Sequence, residues 1–120
     1  MSGVHRVFVY GTLRRHASNA HRMLEAQYLC DGKVAAKLYR VDWYPGLVVN
    51  GEESLVSGEI FEVETGALHR LDEYEGAEYR RIHVLTHVPG DPQMKVWIYE
   101  YIGETANLQA IASGNWLEVN

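Results

Sequence analysis

Segments with the residue pattern of β-strands dominate this 120-residue sequence, and they constrain its fold more than any other feature. Short runs of β-branched and aromatic residues alternate with turn-forming residues. Most runs follow one another without a crossover helix, so neighbouring strands are expected to pair antiparallel. The sequence therefore predicts an α+β fold with a small mixed, antiparallel-rich, barrel-like sheet and flanking short helices. The predicted strands cover residues 4–10, 32–41, 55–63, 79–88 and 94–102.

One segment, TGALHRLDEYEG at residues 65–76, has helical spacing instead. Its apolar residues recur three or four positions apart, which places them on one face of a helix. Thr65 is the expected N-cap and Gly76 the expected end of this helix. The residues on the apolar face are Ala67, Leu68, Leu71 and Tyr74.

The remaining segments predict short helices and turns. Ser18 or Asn19 can cap a short helix that runs through Glu25. Turn-forming residues mark the other connections. These are a corner at YPG (44–46), surface turns at NGEES (50–54) and PGDP (89–92), and a tail with a helical turn, a stop at Gly114 and an anchor at Trp116.

Composition predicts one domain over residues 1–120, because the chain is long enough to bury a single core. With 47% hydrophobic and 22% charged residues it resembles ordinary globular proteins. A net charge of -5 provides no basic surface for nucleic acid, and no segment has the length of a membrane span or the form of a signal peptide. A cytoplasmic location is expected. The single cysteine, Cys30, excludes an internal disulfide, and its apolar neighbours predict a buried thiol.

Six histidines raise the question of a metal site. His83 and His87 share one face of a predicted strand, but at about 3.3 Å per residue they are roughly 13 Å apart. That separation is too large for two ligands of one zinc ion. The sequence also contains neither a CxxC pair nor an HxxxH pair on a predicted helix, so no metal is expected.

The stretch VFVYGTLRR at residues 7–15 predicts a small anion site where the first strand ends. It has one glycine and no GK[ST], so it is not a nucleotide phosphate loop. Backbone N–H groups freed at Gly11 can converge on a carboxylate, and Arg14 and Arg15 would raise the local potential. An ordinary turn with solvated arginines explains the motif equally well when it is taken alone.

The segment LDEYEG places three acids at the end of the predicted helix, where the helix dipole disfavours negative charge. Like charges and the dipole both raise a carboxyl pKa toward the range of a general base. Glu75 is the acid most expected to point into a cleft, because it lies next to the helix end. The alternative is a solvated acidic face formed by Asp72, Glu73 and Glu75.

These motifs occur in an order that resembles the gamma-glutamylcyclotransferase-like (AIG2-like) family. The matching parts are VFVYGTLR, the YPG corner, a strand with Gly58 and Glu59, LDEYEG and EYRR, and SGNWL is similar to the small bacterial branch. The resemblance covers nearly the whole chain. It implies a small mixed barrel-like sheet with flanking helices.

The resemblance also implies a function. The better-studied enzymes of the family cyclise a gamma-glutamyl group to 5-oxoproline and release the attached amine or amino acid. By position, Glu75 would be the base, although Glu78 remains an alternative, and Tyr101 would help to enclose the substrate. Glu100 departs from the apolar residue that usually precedes that tyrosine. The loop that holds the glutamyl head would consist of Tyr10, Gly11, Thr12 and Leu13.

This chemistry implies no cofactor, and the expected partner is a small gamma-glutamyl substrate. Residues 43–46 are expected to contact the leaving group, whose identity the sequence does not define. A non-catalytic binding module for a gamma-glutamyl or other amino-acid derivative is the alternative. The sequence leaves the oligomeric state open.

Overall fold

The computed structural model describes residues 3–49, 54–88 and 91–118, which form eight β-strands, one α-helix and three short 3₁₀ helices. The α-helix, α1, covers Thr65–Glu75, and the 3₁₀ helices cover Ala20–Met23, Gly76–Glu78 and Trp116–Glu118. The strands are β1 (Val4–Val9), β2 (Gln27–Ala35), β3 (Lys37–Arg40), β4 (Pro45–Val48), β5 (Leu55–Glu64), β6 (Tyr79–Val88), β7 (Asp91–Tyr101) and β8 (Gln109–Ala110).

Five strands form a closed barrel. They are hydrogen-bonded in the order β1, β5, β2, β6, β7, and a parallel pairing of Val7 with Trp97 joins β1 to β7 and closes the ring. The other pairings in the ring are antiparallel. Beyond the ring, β4 pairs with the C-terminal part of β7, and β3 and β8 extend this side sheet. The prediction of a mixed, antiparallel-rich, barrel-like α+β fold is confirmed.

The barrel separates two hydrophobic clusters, because neighbouring side chains of a strand point to opposite faces. On β1, Phe8 joins the cluster inside the barrel, whereas Val7 and Val9 join the cluster beneath α1. Burial on both faces explains why this strand is an unbroken apolar run. Helix α1 covers the second cluster with Leu68 and Leu71, as its helical spacing predicts.

The ends of α1 differ slightly from the prediction. Thr65 is the first helical residue and not the N-cap, which is Glu64. The Thr65 hydroxyl donates to the carbonyl of Gly3 over 3.0 Å and so tethers the chain start to the helix. The helix ends at Gly76 as predicted, with a φ of 72° that favours glycine.

The predicted strand over residues 32–41 is two strands. β2 begins earlier, at Gln27, because residues 27–35 pair with β5. It ends before Ala36, whose side chain is fully buried and whose N–H donates to Ser54. The chain bends there, and β3 leaves the barrel for the side sheet. Cys30 lies within β2, partly buried against the barrel core and less buried than predicted.

Two predicted helical segments are shorter or lie elsewhere. The short helix expected up to Glu25 is a single 3₁₀ turn at Ala20–Met23, because the bond from the Asn19 N–H to the Thr12 carbonyl folds this segment back onto the loop. In the tail, Gln109–Ala110 pairs with β3, and the helical turn is the 3₁₀ helix at Trp116–Glu118. Trp116 packs against the barrel core as predicted.

The corner at residues 44–46 lies slightly earlier than predicted. The N–H groups of Val41 and Asp42 both donate to the Tyr44 carbonyl, which closes the turn before Pro45. Pro45 opens β4, a position where a strand tolerates a missing N–H. The turns predicted at 50–54 and 89–92 fall largely on residues 50–53 and 89–90, outside the described residues.

Closure of the barrel depends on a close approach at Gly58. A Cβ at this position would lie 2.5 Å from the Phe8 ring and 2.5 Å from the Val9 carbonyl oxygen, which is backbone and cannot rotate away. We expect Gly58→Ala to lower the free energy of unfolding by about 1 to 3 kcal/mol, the usual range for overpacking. Urea denaturation followed by circular dichroism measures this change.

Gly66→Ala provides the matched control. This glycine lies on the exposed first turn of α1, and an added Cβ would make only an ordinary contact, 3.6 Å from Arg70. The same substitution is therefore expected to raise the unfolding free energy there by about 0.4 to 1 kcal/mol. Unchanged stability in Gly58→Ala would contradict the packing described for the barrel.

Candidate active site

The loop after β1 carries three backbone N–H groups without a partner. Among the described residues, the N–H groups of Gly11, Thr12 and Leu13 donate no hydrogen bond. The loop carbonyls are engaged, because that of Gly11 accepts from Arg14 over 3.1 Å and that of Thr12 accepts from Asn19 over 2.8 Å. These bonds hold the loop while its donors stay free, as in an anion-binding nest.

Glycine is required at position 11 by a neighbouring strand. A Cβ there would lie 2.5 Å from Cγ and 2.8 Å from Cδ of Pro45, the first residue of β4. Among the described residues, the glycines with a left-handed backbone conformation are Gly76 and Gly114. Glycine is therefore needed at position 11 for the close approach of Pro45 and not for a left-handed turn. The loop can therefore lie directly against β4.

Helix α1 brings the second part of the site to this loop. β5 runs antiparallel to β1, and α1 turns back from the end of β5, so the helix retraces the direction of β1. The eleven helical residues and the six residues of β1 both extend roughly 15 to 17 Å. The C-terminal end of α1 consequently lies beside the loop that follows β1.

A cavity of ≈ 170 Å³ lies between these two chain segments. It is smaller than the range of about 300 to 1,000 Å³ that is typical of drug-sized ligands, so it suits a small molecule. The cavity brings Glu75 together with the four predicted residues of the loop after β1 and with the corner before β4. Its lining consists of Phe8, Val9, Tyr10, Gly11, Thr12, Leu13, Trp43, Tyr44, Pro45, Tyr74, Glu75, Glu78, Tyr79 and Tyr99.

Glu75 is the last residue of α1, and its partly buried side chain lines the cavity. Its carboxyl has no hydrogen-bond or ion-pair partner in the part of the chain that the structure describes. Burial away from water raises the pKa of Glu75 from 4.5 to about 7. At neutral pH this group can therefore both accept and release a proton.

Three tyrosines surround the inner part of the cavity, and we call Tyr10, Tyr79 and Tyr99 the tyrosine wall. Each hydroxyl donates to a fixed acceptor, so none is free to stabilise the Glu75 carboxylate. Burial, together with the nearby Glu75 charge, raises the pKa of all three phenols. The acceptors are the Tyr99 carbonyl at 2.7 Å for Tyr10, the Pro45 carbonyl at 2.6 Å for Tyr79, and Asp72 at 2.7 Å for Tyr99.

The other acids of LDEYEG have different environments. Asp72 accepts two bonds from Arg81, at 2.7 and 3.1 Å, and one from Tyr99. Burial would raise the pKa of Asp72, but these bonds outweigh it and lower the pKa below its usual value. Glu73 is exposed to solvent. The acidic segment therefore divides into an ion-paired residue, a solvated residue and the cavity residue Glu75.

Glu78 lies at the cavity rim on the 3₁₀ turn after α1, and it is exposed. Its carboxylate accepts a bond of 2.6 Å from the Tyr44 hydroxyl, which raises the pKa of Tyr44 to about 12. The two acids that the sequence left as alternative bases thus both line the cavity, but Glu75 is partly buried and Glu78 is exposed.

Arg14 and Arg15 do not face the cavity, in contrast to the sequence-based expectation. Arg14 is buried and contacts Glu59 over 3.3 Å and Asn115 over 2.8 Å. Arg15 contacts Glu59 and Asp31, both over 3.5 Å. Glu59 is itself buried, so it needs cationic partners, and it draws both arginines to the opposite side of the loop.

Tyr101 is not among the residues that line the cavity. Its ring packs edge-on against Tyr79, with ring centroids 5.6 Å apart, so it supports the tyrosine wall from behind. The unusual Glu100 has a structural explanation. Its buried carboxylate accepts from the Val49 N–H over 2.8 Å and from Arg80 over 2.9 Å, which fastens the end of β4 to β7.

The cavity also contains residues that sequence reasoning missed, namely Tyr74, Tyr79 and Tyr99. The period of the strand offered a signal for Tyr99, which lies two positions before Tyr101 and so shares its face of β7. Helical spacing placed Tyr74 with the core residues and gave no such signal. Trp43, Tyr44 and Pro45, from the segment expected to contact a leaving group, do line the cavity.

Over residues 3–49, 54–88 and 91–118, no group of three or more histidine, cysteine or acidic side chains is arranged to hold a metal ion. Within the same ranges, no helix has the length and apolar character to cross a membrane.

Comparison with known proteins identifies the same family that the sequence motifs resemble. A family model described as "Gamma-glutamyl cyclotransferase, AIG2-like" matches residues 7–118. A Vibrio cholerae protein that carries a provisional gamma-glutamylcyclotransferase name is 40% identical over 119 residues, covering 95% of this chain and 96% of that protein. The Escherichia coli gamma-glutamylcyclotransferase family protein YtfP is 35% identical over 116 residues, covering 94% of this chain and 96% of its own.

Solved structures show the same similarity. The solution NMR structure of YtfP matches 94% of this chain and 96% of its own length with a TM-score of 0.71. The crystal structure of an AIG2-like protein from Mus musculus matches 92% of this chain and 87% of its own at 28% identity, with a TM-score of 0.80.

The environment of Glu75 predicts that the difference in unfolding free energy between the wild type and Glu75→Gln depends on pH. Because folding raises the pKa of this carboxyl from 4.5 to about 7, the folded state binds the proton more tightly and loses stability as pH rises across that window. Glu75→Gln removes the titrating group. We expect the variant to match the wild type near pH 4 and to be more stable by about 1 to 3 kcal/mol above pH 7.

Denaturant unfolding of both proteins between pH 4 and pH 8 measures this difference. Glu73→Gln is the matched control, because Glu73 is exposed on the same helix and loses the same charge. If Glu75→Gln followed the wild type at every pH, the Glu75 carboxyl would not be desolvated in the folded state.

Proposed function

Because the chain belongs to the gamma-glutamyl cyclotransferase, AIG2-like family, we propose that it is a gamma-glutamyl cyclotransferase-type enzyme. Its substrate is a gamma-glutamyl amine or peptide, which it converts to 5-oxoproline and the free amine. Glu75 is the general base and then the general acid. One observation carries the proposal: the desolvated carboxyl of Glu75 shares a cavity with the N–H groups of residues 11–13, and none of these groups has a partner among the described residues.

The glutamyl head binds first. Its alpha-carboxylate accepts hydrogen bonds from the N–H groups of Gly11, Thr12 and Leu13, which supply a partial positive charge without a cationic side chain. The alpha-ammonium then lies toward Glu75, whose negative charge attracts it. Both ends of the head group are thereby fixed, and the gamma-carbonyl folds back toward the alpha-nitrogen.

Ring closure begins with a proton transfer. In its ionised form, Glu75 accepts one proton from the alpha-ammonium, which gives the nitrogen a lone pair. That lone pair attacks the gamma-carbonyl carbon, so a carbon–nitrogen bond forms and the carbonyl oxygen takes the negative charge. As the five-membered ring forms, this nitrogen gives its second proton to water and keeps one N–H.

The second half of the reaction releases the amine. Glu75, now protonated, gives its proton to the departing nitrogen, and the original amide carbon–nitrogen bond breaks as the carbonyl re-forms. The products are 5-oxoproline and a neutral amine. A pKa of about 7 suits this cycle, because a group titrating near the working pH both accepts and releases a proton readily.

The intramolecular nature of the attack provides much of the rate. When the glutamyl side chain of the substrate is held folded, its alpha-nitrogen reaches the gamma-carbonyl by a local rotation and not by an encounter of two molecules. In well-oriented systems of this kind the activation barrier falls by about 7 to 11 kcal/mol. The tyrosine wall supports this role, since its hydroxyls are bonded to fixed acceptors and keep the cavity shape constant. The proposed steps use no metal ion, nucleotide or covalent nucleophile.

A substrate panel tests the proposal. Incubation with gamma-glutamyl amines, gamma-glutamyl dipeptides and glutathione, with chromatographic detection of 5-oxoproline, is expected to reveal turnover of at least one member. Glu75→Gln is expected to lower kcat for that substrate by at least about a hundredfold, the usual scale for loss of a general base. Circular dichroism checks that the variant remains folded.

The control is again Glu73→Gln, which is expected to retain the wild-type rate because Glu73 lies outside the cavity. In the wild type, kcat/KM is expected to rise with pH through about 7 as Glu75 ionises. Binding of panel members without any cyclisation would reject the enzyme and favour a non-catalytic binding module. Full activity of Glu75→Gln would assign the base to another group.

A further inference from the structure

The outer part of the cavity is aromatic and acidic. It is formed by Trp43, Tyr44, Tyr74 and Glu78, which we call the cavity mouth. Trp43 is 58% exposed although it is a large aromatic residue, and its ring packs edge-on against Tyr44 with centroids 5.0 Å apart. Aromatic faces with this exposure attract cations through their negative ring quadrupole.

No lysine, arginine or histidine is among the described residues that line the cavity. The arginines near the cavity are held by carboxylates or by an aromatic ring. Arg22 lies over Tyr74 from the neighbouring groove, with its guanidinium carbon 4.1 Å from the ring centroid. The other pairs are Arg14 with Glu59, Arg80 with Glu100 and Arg81 with Asp72.

Acidic groups are present at the same position. Glu78 uses Oε1 to accept from Tyr44, and its Oε2 has no partner among the described residues. Asp42 is exposed in the turn that carries Trp43, close enough that its charge contributes to the raised pKa of Tyr44. Glu78 and an exposed aromatic face therefore lie at the way out of the cavity, and Asp42 adds negative charge in the adjoining turn.

We propose that the leaving group carries a second, positively charged amine, as an alkyl diamine does, and that Glu78 with the ring of Trp43 binds this cation. This inference rests on the proposed function. The glutamyl head occupies the loop and Glu75 inside the cavity, so the leaving group extends toward the mouth. An anionic leaving group, such as an amino acid with a free carboxylate, would meet Glu75 and Glu78 without a compensating cation.

Three substrates of similar length separate charge from size. They are the gamma-glutamyl amides of diaminobutane, pentylamine and aminobutyrate, whose distal ends are cationic, neutral and anionic. We expect kcat/KM for the diaminobutane amide to exceed that for the pentylamine amide by about tenfold, with the aminobutyrate amide slowest. The preference is expected to shrink as salt concentration rises, because the charges at the mouth are exposed and screened.

Glu78→Gln tests whether the negative charge of Glu78 binds the cationic leaving group. Glutamine keeps a carbonyl oxygen to accept from Tyr44 but removes the charge, so the ratio of kcat/KM between the diaminobutane and pentylamine amides is expected to fall about fivefold. Glu73→Gln, which removes the same charge from outside the cavity, is expected to leave the ratio unchanged. A separate substitution, Trp43→Leu, is expected to lower the ratio as well, because it removes the aromatic face and retains an apolar side chain.

Equal kcat/KM for the cationic and neutral amides would overturn the inference and leave the proposed function intact. So would a ratio that Glu78→Gln does not change. If none of the three amides, and none of the wider panel, yields 5-oxoproline, the proposed function fails and this inference fails with it.

Discussion

The position of the site depends on one geometric constraint, which is that α1 and β1 have nearly the same length and lie alongside each other. β1 is held from both sides, by β5 and by the parallel contact with β7 that closes the barrel. α1 starts at the far end of β5, and its buried Leu68 and Leu71 fix it over the cluster that includes Val7 and Val9. A helix one turn shorter would end about 5 Å away from the loop.

The chemistry of the site follows from how the fold distributes charge. Burial of a carboxyl without a partner is costly, and other acids of this chain avoid that cost. Asp72 pairs with Arg81, Glu59 with two arginines and Glu100 with Arg80. Glu75 is the acid of α1 that lines the cavity, where the hydroxyls of Tyr10, Tyr79 and Tyr99 are already bonded to other acceptors. A carboxyl that is destabilised in its charged form is a reactive one, and this is common where function opposes stability.

The sequence predicted the local elements better than their arrangement. Strand alternation identified β5, the β6–β7 hairpin and the buried first strand, and helical spacing identified α1 and its end at Gly76. The ring of strands depends on pairings between distant segments, which periodicity does not encode. The sequence predicted that Arg14 and Arg15 lie at the anion site. In the structure both contact Glu59, which is more than forty residues away in the sequence, and so they do not face the cavity. Gly11 and Glu75 were found through local motifs, whereas Tyr79 became a cavity residue only through the closed barrel.

The cavity desolvates Glu75 and leaves it without a partner among the described residues. A carbon NMR titration of protein labelled at the glutamate side-chain carboxyls, with Glu75→Gln used to assign the resonance, measures the pKa of Glu75 directly in the folded state. We expect a midpoint of about 7 for Glu75. A midpoint near 4.5, the ordinary value for glutamate, would place this carboxyl in water and contradict its desolvation by the cavity.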